Sequence, residues 1–261
     1  MKPTLSILAT ILGVVISLPT GSVRADTVTV RYAEGVTRGF LALRTLQGID
    51  VADGDLSQVV RGDRVSRRLV FRFKDGSMQD ENVVFSQRGT FRLLSDRLVQ
   101  KGPAFPHPMD VTIDAVAGQV KIRYTDDDGK EIVTEKRMAL PADLANGLLP
   151  TLMRNVPRGV PSMTVSLLAA TPKPQLVKLE IGAEGEDTFS IGSLKLKAIR
   201  YVVKVKIGGV AGLVAPLLDK QPPDSHLWVV GGEAPSFVKA EAPLFLGGPV
   251  LRIELTNPSW P

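Results

Sequence analysis

Cysteine is missing from all 261 residues, and histidine occurs only as His107 and His226. The first absence excludes disulfide staples, thiol chemistry and a lipid anchor on an N-terminal cysteine. The second means that a structural zinc would have to recruit carboxylates, and no metal or cofactor is expected. Aromatic residues are sparse, at 5%. Few of them interleave with the basic run Arg61, Arg64, Arg67, Arg68, Arg72 and Lys74, as stacking on nucleic acid would require. That run is expected to be a solvated sheet face, and nucleic acid is not an expected partner. There is no G-x-S-x-G elbow, H-E-x-x-H pair, phosphate-binding glycine loop or dinucleotide fingerprint. An enzyme is not expected.

Long apolar runs are also lacking, with one exception at the start. Lys2 opens a short basic segment, Ile7 to Leu18 is nearly all apolar, and Val23-Arg24-Ala25 supplies small residues where a signal peptidase cuts. Residues 1–25 are expected to be a secretory signal, too short and wrongly flanked for a membrane anchor. Removing 25 of 261 residues leaves 236, and losing Lys2 and Arg24 lowers the net charge from +5 to +3. The expected product is a soluble periplasmic protein, not a lipoprotein, with residues 26–261 as a single β-rich domain large enough to bury its own core.

What remains is mostly alternation. Val28, Val30 and Tyr32 alternate with Thr27, Thr29 and Arg31; Leu69, Phe71 and Phe73 alternate with Arg68, Val70 and Arg72. Period-two patterning predicts half-buried strands. Asp53-Gly54 and Asp75-Gly76 are read as turns, as is Asp126-Asp-Asp-Gly129, whose spacing does not suit a calcium loop. Roughly a dozen short strands at such spacing predict a sheet-based fold without fixed repeats. Whether the sheet is a closed barrel, an open one or a sandwich is not decided by the pattern. The apolar segment 208–218 has no clear period.

One stretch breaks the pattern. In Leu140 to Asn155, Pro141 suits a first helical position, and Leu144, Leu148, Leu149, Leu152 and Met153 recur at helical spacing. Gly147 and Pro150 weaken it, so a short helix kinked near Pro150 is expected. It would act either as a plug at the end of the sheet or as a lid over an apolar cavity. A second candidate region holds His226, Trp228, Phe237 and Phe245 between Pro and Gly turns, and could form a pocket mouth or a packed sheet end.

Two catalytic look-alikes are present. Asp224-Ser225-His226 contains triad residue types but is consecutive, so the side chains cannot form a relay among themselves. Ser236 and Lys239 have S-x-x-K spacing in a strand-like run, without the helix start that such a pair needs.

A signal segment, a long meander, a mid-chain helix opened by proline, more strands and a last strand ending Arg252-Ile-Glu-Leu255 form a recognisable layout. It resembles exported bacterial proteins of uncharacterised function grouped with the periplasmic outer-membrane lipoprotein carriers. That resemblance implies a strongly curved antiparallel sheet, an incomplete barrel, with helix covering its concave apolar side.

The function expected is therefore non-catalytic binding of an apolar or amphipathic ligand, a lipid or acyl chain. Its candidate site comprises Leu144, Leu148, Leu152, Met153, His226, Trp228, Phe237 and Phe245. The alternatives are a cell-envelope assembly factor that binds a protein partner, and a hydrolase using His226.

Overall fold

The computed structural model describes residues 27–157, 159–191, 193–206, 222–233 and 235–256, together with the backbone of 258–259. The expected signal and the 208–218 segment lie outside the described residues. Eight strands come first: β1 (Thr37–Thr45), β2 (Asp50–Arg61), β3 (Arg64–Phe73), β4 (Met78–Ser86), β5 (Arg92–Lys101), β6 (Met109–Asp114), β7 (Gln119–Thr125) and β8 (Glu131–Arg137). After helix α1 (Leu149–Asn155) come β9 (Ser162–Ala169), β10 (Gln175–Ile191), β11 (Leu194–Lys206), β12 (Ser225–Val230), β13 (Ser236–Pro243), β14 (Val250–Leu255) and β15 (Pro258–Ser259). The chain is mainly β, as its alternation predicts.

All fifteen strands join one sheet. β1 pairs with both β2 and β14, and from there the ladder runs outward through neighbouring antiparallel hairpins to β8 on one side and β10 on the other. β10 carries β9 along its first half and β15 at its tip. Register shifts at Leu43/Arg44, Val84/Phe85, Ala183/Gly185 and Trp228/Val229 insert extra residues that bend the sheet. The result is strongly curved. Buried residues of β3 to β7 and of β9 to β13 belong to one core, with Leu144, Ala145, Leu148, Leu152 and Met153 among them.

The curl does not close by pairing. Among the described residues β8 and β9 share no ladder, and residues 143–146 line the exposed edge of β9 instead. Ala145 N donates to Ser166 O at 2.8 Å and Ser166 N to Asp143 O at 3.2 Å. The Asn146 amide donates to Leu168 O at 3.0 Å and accepts from Leu168 N at 2.8 Å. Asp143, 7% exposed, accepts from Ser166 Oγ and from Lys178 Nζ. An edge that would otherwise recruit another strand is thereby capped.

Three local expectations are corrected. The helix spans Leu149–Asn155 only; Pro150, not Pro141, lies in its first turn, because the edge-capping bonds hold 143–146 against β9 and Gly147 turns at φ +63°. Residues 28–32 form no strand; a single bridge, Thr29 to Thr90, ties them to the sheet. Asp53-Gly54 is not a turn but lies inside β2, paired with Leu41 and Phe71, where a Cβ on Gly54 would meet the Phe71 ring at 2.6 Å. Asp75-Gly76 does form the β3–β4 turn, as expected.

Gly147 faces a second constraint, since a Cβ there would sit 2.4 Å from Val83 Cγ2. Gly147→Ala should therefore cost roughly 2–4 kcal/mol, combining left-handed strain with overpacking. Gly129, at φ +75° with open space around it, is the control. Thermal unfolding should show a clearly larger loss for Gly147→Ala than for Gly129→Ala; equal losses would remove the packing part of this account.

Candidate ligand cavity

Where α1 leans on the concave face it leaves a cavity of about 510 Å³, bounded by β1 to β4, β13, β14 and residues 145–154. Alternation explains its walls. Along β3, Arg67, Leu69 and Phe71 point inward; along β4, Gln79 and Glu81 do so. The strand register sets these into rows across the sheet: Gln58, Arg67, Val83 and Asp96; then Leu56, Leu69, Glu81 and Leu98; then Gly54, Phe71, Gln79 and Gln100. Phe237, Ala240, Ile253 and Leu255 form the opposite apolar wall, and Leu149, Pro150, Thr151 and Arg154 of α1 the cover.

Two guanidinium groups fasten the cover. Arg67 Nη1 donates to Thr151 Oγ1 at 3.0 Å and its Nη2 to the Gly147 carbonyl. Arg154 Nη1 contacts both oxygens of Glu34 at 2.8 and 2.9 Å, and its Nε donates to Pro235 O at 2.7 Å. Glu34 also accepts from Gln58 Nε2 at 3.0 Å. Asn155, 1% exposed, accepts from the backbone N–H of Arg31 and Tyr32 and so pins the N-terminal segment to the helix.

The carboxyl groups near Arg67 are less well served. Asp96 is 5% exposed, and its Oδ1 has no hydrogen-bond partner among the described residues. Gln100 donates to Gln79 Oε1 and Leu244 O, leaving its own Oε1 without a partner there. Burial pushes the Asp96 carboxyl well above the ordinary aspartate range and the Glu81 charge adds to this, while Arg67 opposes it. Burial likewise raises Glu81, against Arg67. Arg67 is pulled down by the same desolvation, with Glu81, Glu34 and Asp96 resisting.

The eight sequence-selected residues fall in four places. Leu144, Leu148, Leu152 and Met153 are packed into the main core and do not line the cavity. Phe237 lines the cavity. Phe245 lines a separate cleft of about 650 Å³ among the β1–β2, β3–β4, β5–β6 and β13–β14 turns, stacking edge-on with Phe105 at 5.8 Å. His226 and Trp228 belong to the opposite face of β12: His226 Nε2 is 3.4 Å from Glu184 Oε2, and Trp228 Nε1 donates to Asp187 Oδ2 at 2.6 Å. Lys239 Nζ lies 3.8 Å over the Trp228 ring, whereas Ser236 borders the cavity, so that pair does not converge. Arg67, Glu81 and Asp96 are absent from the sequence selection, although Arg67 shares the parity of Leu69 and Phe71. Among the described residues no group of three or more His, Asp or Glu could hold a metal ion.

No protein-family description matches the chain, and no curated protein matches its sequence. Among solved structures it is similar to the crystal structure of a β-barrel-like protein of the domain of unknown function DUF1849 from Brucella abortus. The two share 9% identity and a TM-score of 0.45, over 88% of this chain and 99% of that one.

The direction of the Asp96 shift sets a pH dependence. The native chain keeps this carboxyl protonated to higher pH than the unfolded chain does. Its contribution therefore falls as pH rises from the ordinary aspartate range through the raised native value. Asp96→Asn should flatten that fall, gaining stability near neutrality and nothing in acid. Urea titrations across pH would test this; an equal effect at both ends would contradict it.

Proposed function

We propose that the chain is an exported, soluble periplasmic protein that binds one apolar or amphipathic ligand, a lipid or acyl chain, in the cavity beneath α1. The observation that carries this reading is the cavity: about 510 Å³ on the concave face, apolar along most of its walls and polar at one side. Those proportions are typical of small-molecule sites. The layout also agrees with the lipoprotein-carrier resemblance, in which helix covers the concave side of a curved sheet. Burying about ten methylenes at ~0.8 kcal/mol each supplies roughly 8 kcal/mol before ordering costs, enough for micromolar binding at best.

In this reading α1 is a fixed wall, because Leu152 and Met153 anchor it in the main core. Leu148→Asp should then unfold the protein, since Leu148 is only 1% exposed, and does not isolate binding. Leu69→Trp is the sharper test. Leu69 lines the cavity and is half-buried, so a larger ring should occupy the ligand space while the fold survives. Uptake of the fluorescent apolar probe phenylnaphthylamine should drop at least about tenfold, with circular dichroism unchanged. A folded Leu69→Trp that takes up probe normally would remove the cavity from the account.

A second reading, an envelope factor that binds a protein partner, is favoured by the turn-end cleft. Leu46, Ile49 and Leu246 are exposed on two of the turns around it, at 43%, 65% and 48%. A photo-crosslinker at Leu46 that captures one protein in cells, with none captured from Leu149, would support that reading over the first.

A further inference from the structure

The cavity wall is unusual in which polar groups it leaves unanswered. Both cations that line it are committed: Arg67 to Gly147 O and Thr151 Oγ1, Arg154 to Glu34 and Pro235 O. Glu34 has Arg154 and Gln58 as partners. Glu81 faces the cavity, where among the described residues the attraction on its charge comes from Arg67, and that charge is felt by Asp96 on the next strand. Asp96 Oδ1 and Gln100 Oε1, both on the same inner face and both more than nine-tenths buried, lack a hydrogen-bond partner among the described residues. Both of these buried atoms without a partner are acceptors, and they stand on the strand behind the cavity wall.

We infer that the cavity selects an amphiphile with an uncharged head rich in hydroxyl donors, as in a monoacylglycerol, and discriminates against the same chain with a carboxylate or phosphate head. The inference rests on the ligand-binding reading above. An anionic head at this wall would face Glu81, with Asp96 behind it, while both guanidinium groups already donate to protein partners. To recruit Arg154, it would have to displace Glu34 and leave that carboxylate, 7% exposed, without its cation. To recruit Arg67, it would release the Gly147 and Thr151 bonds that hold the cover in place. A hydroxyl head meets neither obstacle. It donates to Glu81, and the neutral amides of Gln58 and Gln79 border the same space. The apolar tail then runs along Leu56, Leu69 and Phe71 toward Phe237 and Ile253. Glu81 acts here as a specificity-determining residue, and no covalent step is involved.

The test uses the full mature chain and two probes of equal chain length, monolauroylglycerol and sodium laurate. They compete against bound phenylnaphthylamine at a pH well above the carboxylate range, so that free laurate is ionised. Monolauroylglycerol should displace the dye at a concentration at least about tenfold lower than laurate, the size expected from one hydrogen bond to a charged acceptor plus avoided repulsion. Glu81→Gln should narrow that ratio by improving laurate, because the amide keeps an acceptor and loses the charge. Laurate binding as well as or better than monolauroylglycerol would overturn the head-group inference and leave the cavity reading standing. An unchanged ratio in Glu81→Gln would overturn the role given to Glu81. Failure of the dye and both probes to bind would overturn the cavity reading, and the inference with it. The wild-type ratio needs no variant to fold.

Discussion

A long sheet that bends around but, among the described residues, does not pair β8 with β9 must bury its concave face on something else. Residues 143–155 meet that need twice over. Their first half lies along the edge of β9, exchanging backbone bonds with Ser166 and side-chain bonds with Leu168. Their second half turns at Gly147 into α1, whose Leu152 and Met153 fill the centre of the curl. Because one segment both caps an edge and plugs the middle, it cannot lie flat everywhere. The space it leaves over β1 to β4 is the cavity.

That space is held open at an energetic cost. A core built only for stability would place apolar side chains where Arg67, Glu81 and Asp96 stand, since desolvating charges in a poorly paired cluster is unfavourable. Here the cluster fastens the cover, because Arg67 reaches across the cavity to the Gly147 carbonyl, and it also gives the cavity a polar side. The apolar tail and the polar head of an amphiphile would then meet walls of matching character. The ion pair of Arg154 with Glu34 closes the rim in the same manner, tying the N-terminal segment, the helix and the β12–β13 turn together. Structure and proposed function therefore depend on the same few residues.

Much of the sheet could be read from the chain. Leu69, Phe71 and Phe73 alternate cleanly, and Asp75-Gly76 turns where such a pair should. Asp53-Gly54 carries the same signature and yet runs straight through β2, because its glycine is required by the Phe71 ring above it, a contact that local sequence does not encode. The helix was legible as an apolar stripe but not in extent: Leu144 and Leu148 come from the bridge to β9 and the turn leading into α1, and pack against the same core. Spacing alone does not separate such a segment from a helix when a tertiary edge needs capping. Phe237 was found at the cavity and Arg67 was not. Arg67 sits in a run of arginines that otherwise point to solvent, and only its parity with Leu69 and Phe71 marks it as inward. Glu81 and Asp96 carry the same parity signal on β4 and β5, and a carboxylate at an inward position is the feature that would have exposed the site.

The most direct test is native mass spectrometry of the chain purified from cells that make it, followed by solvent extraction and lipid analysis. The account predicts a stoichiometric adduct that solvent releases as a single-chain amphiphile. A bare chain mass that stays unchanged after incubation with monoacylglycerol would contradict it, leaving the concave space as a feature of the fold alone.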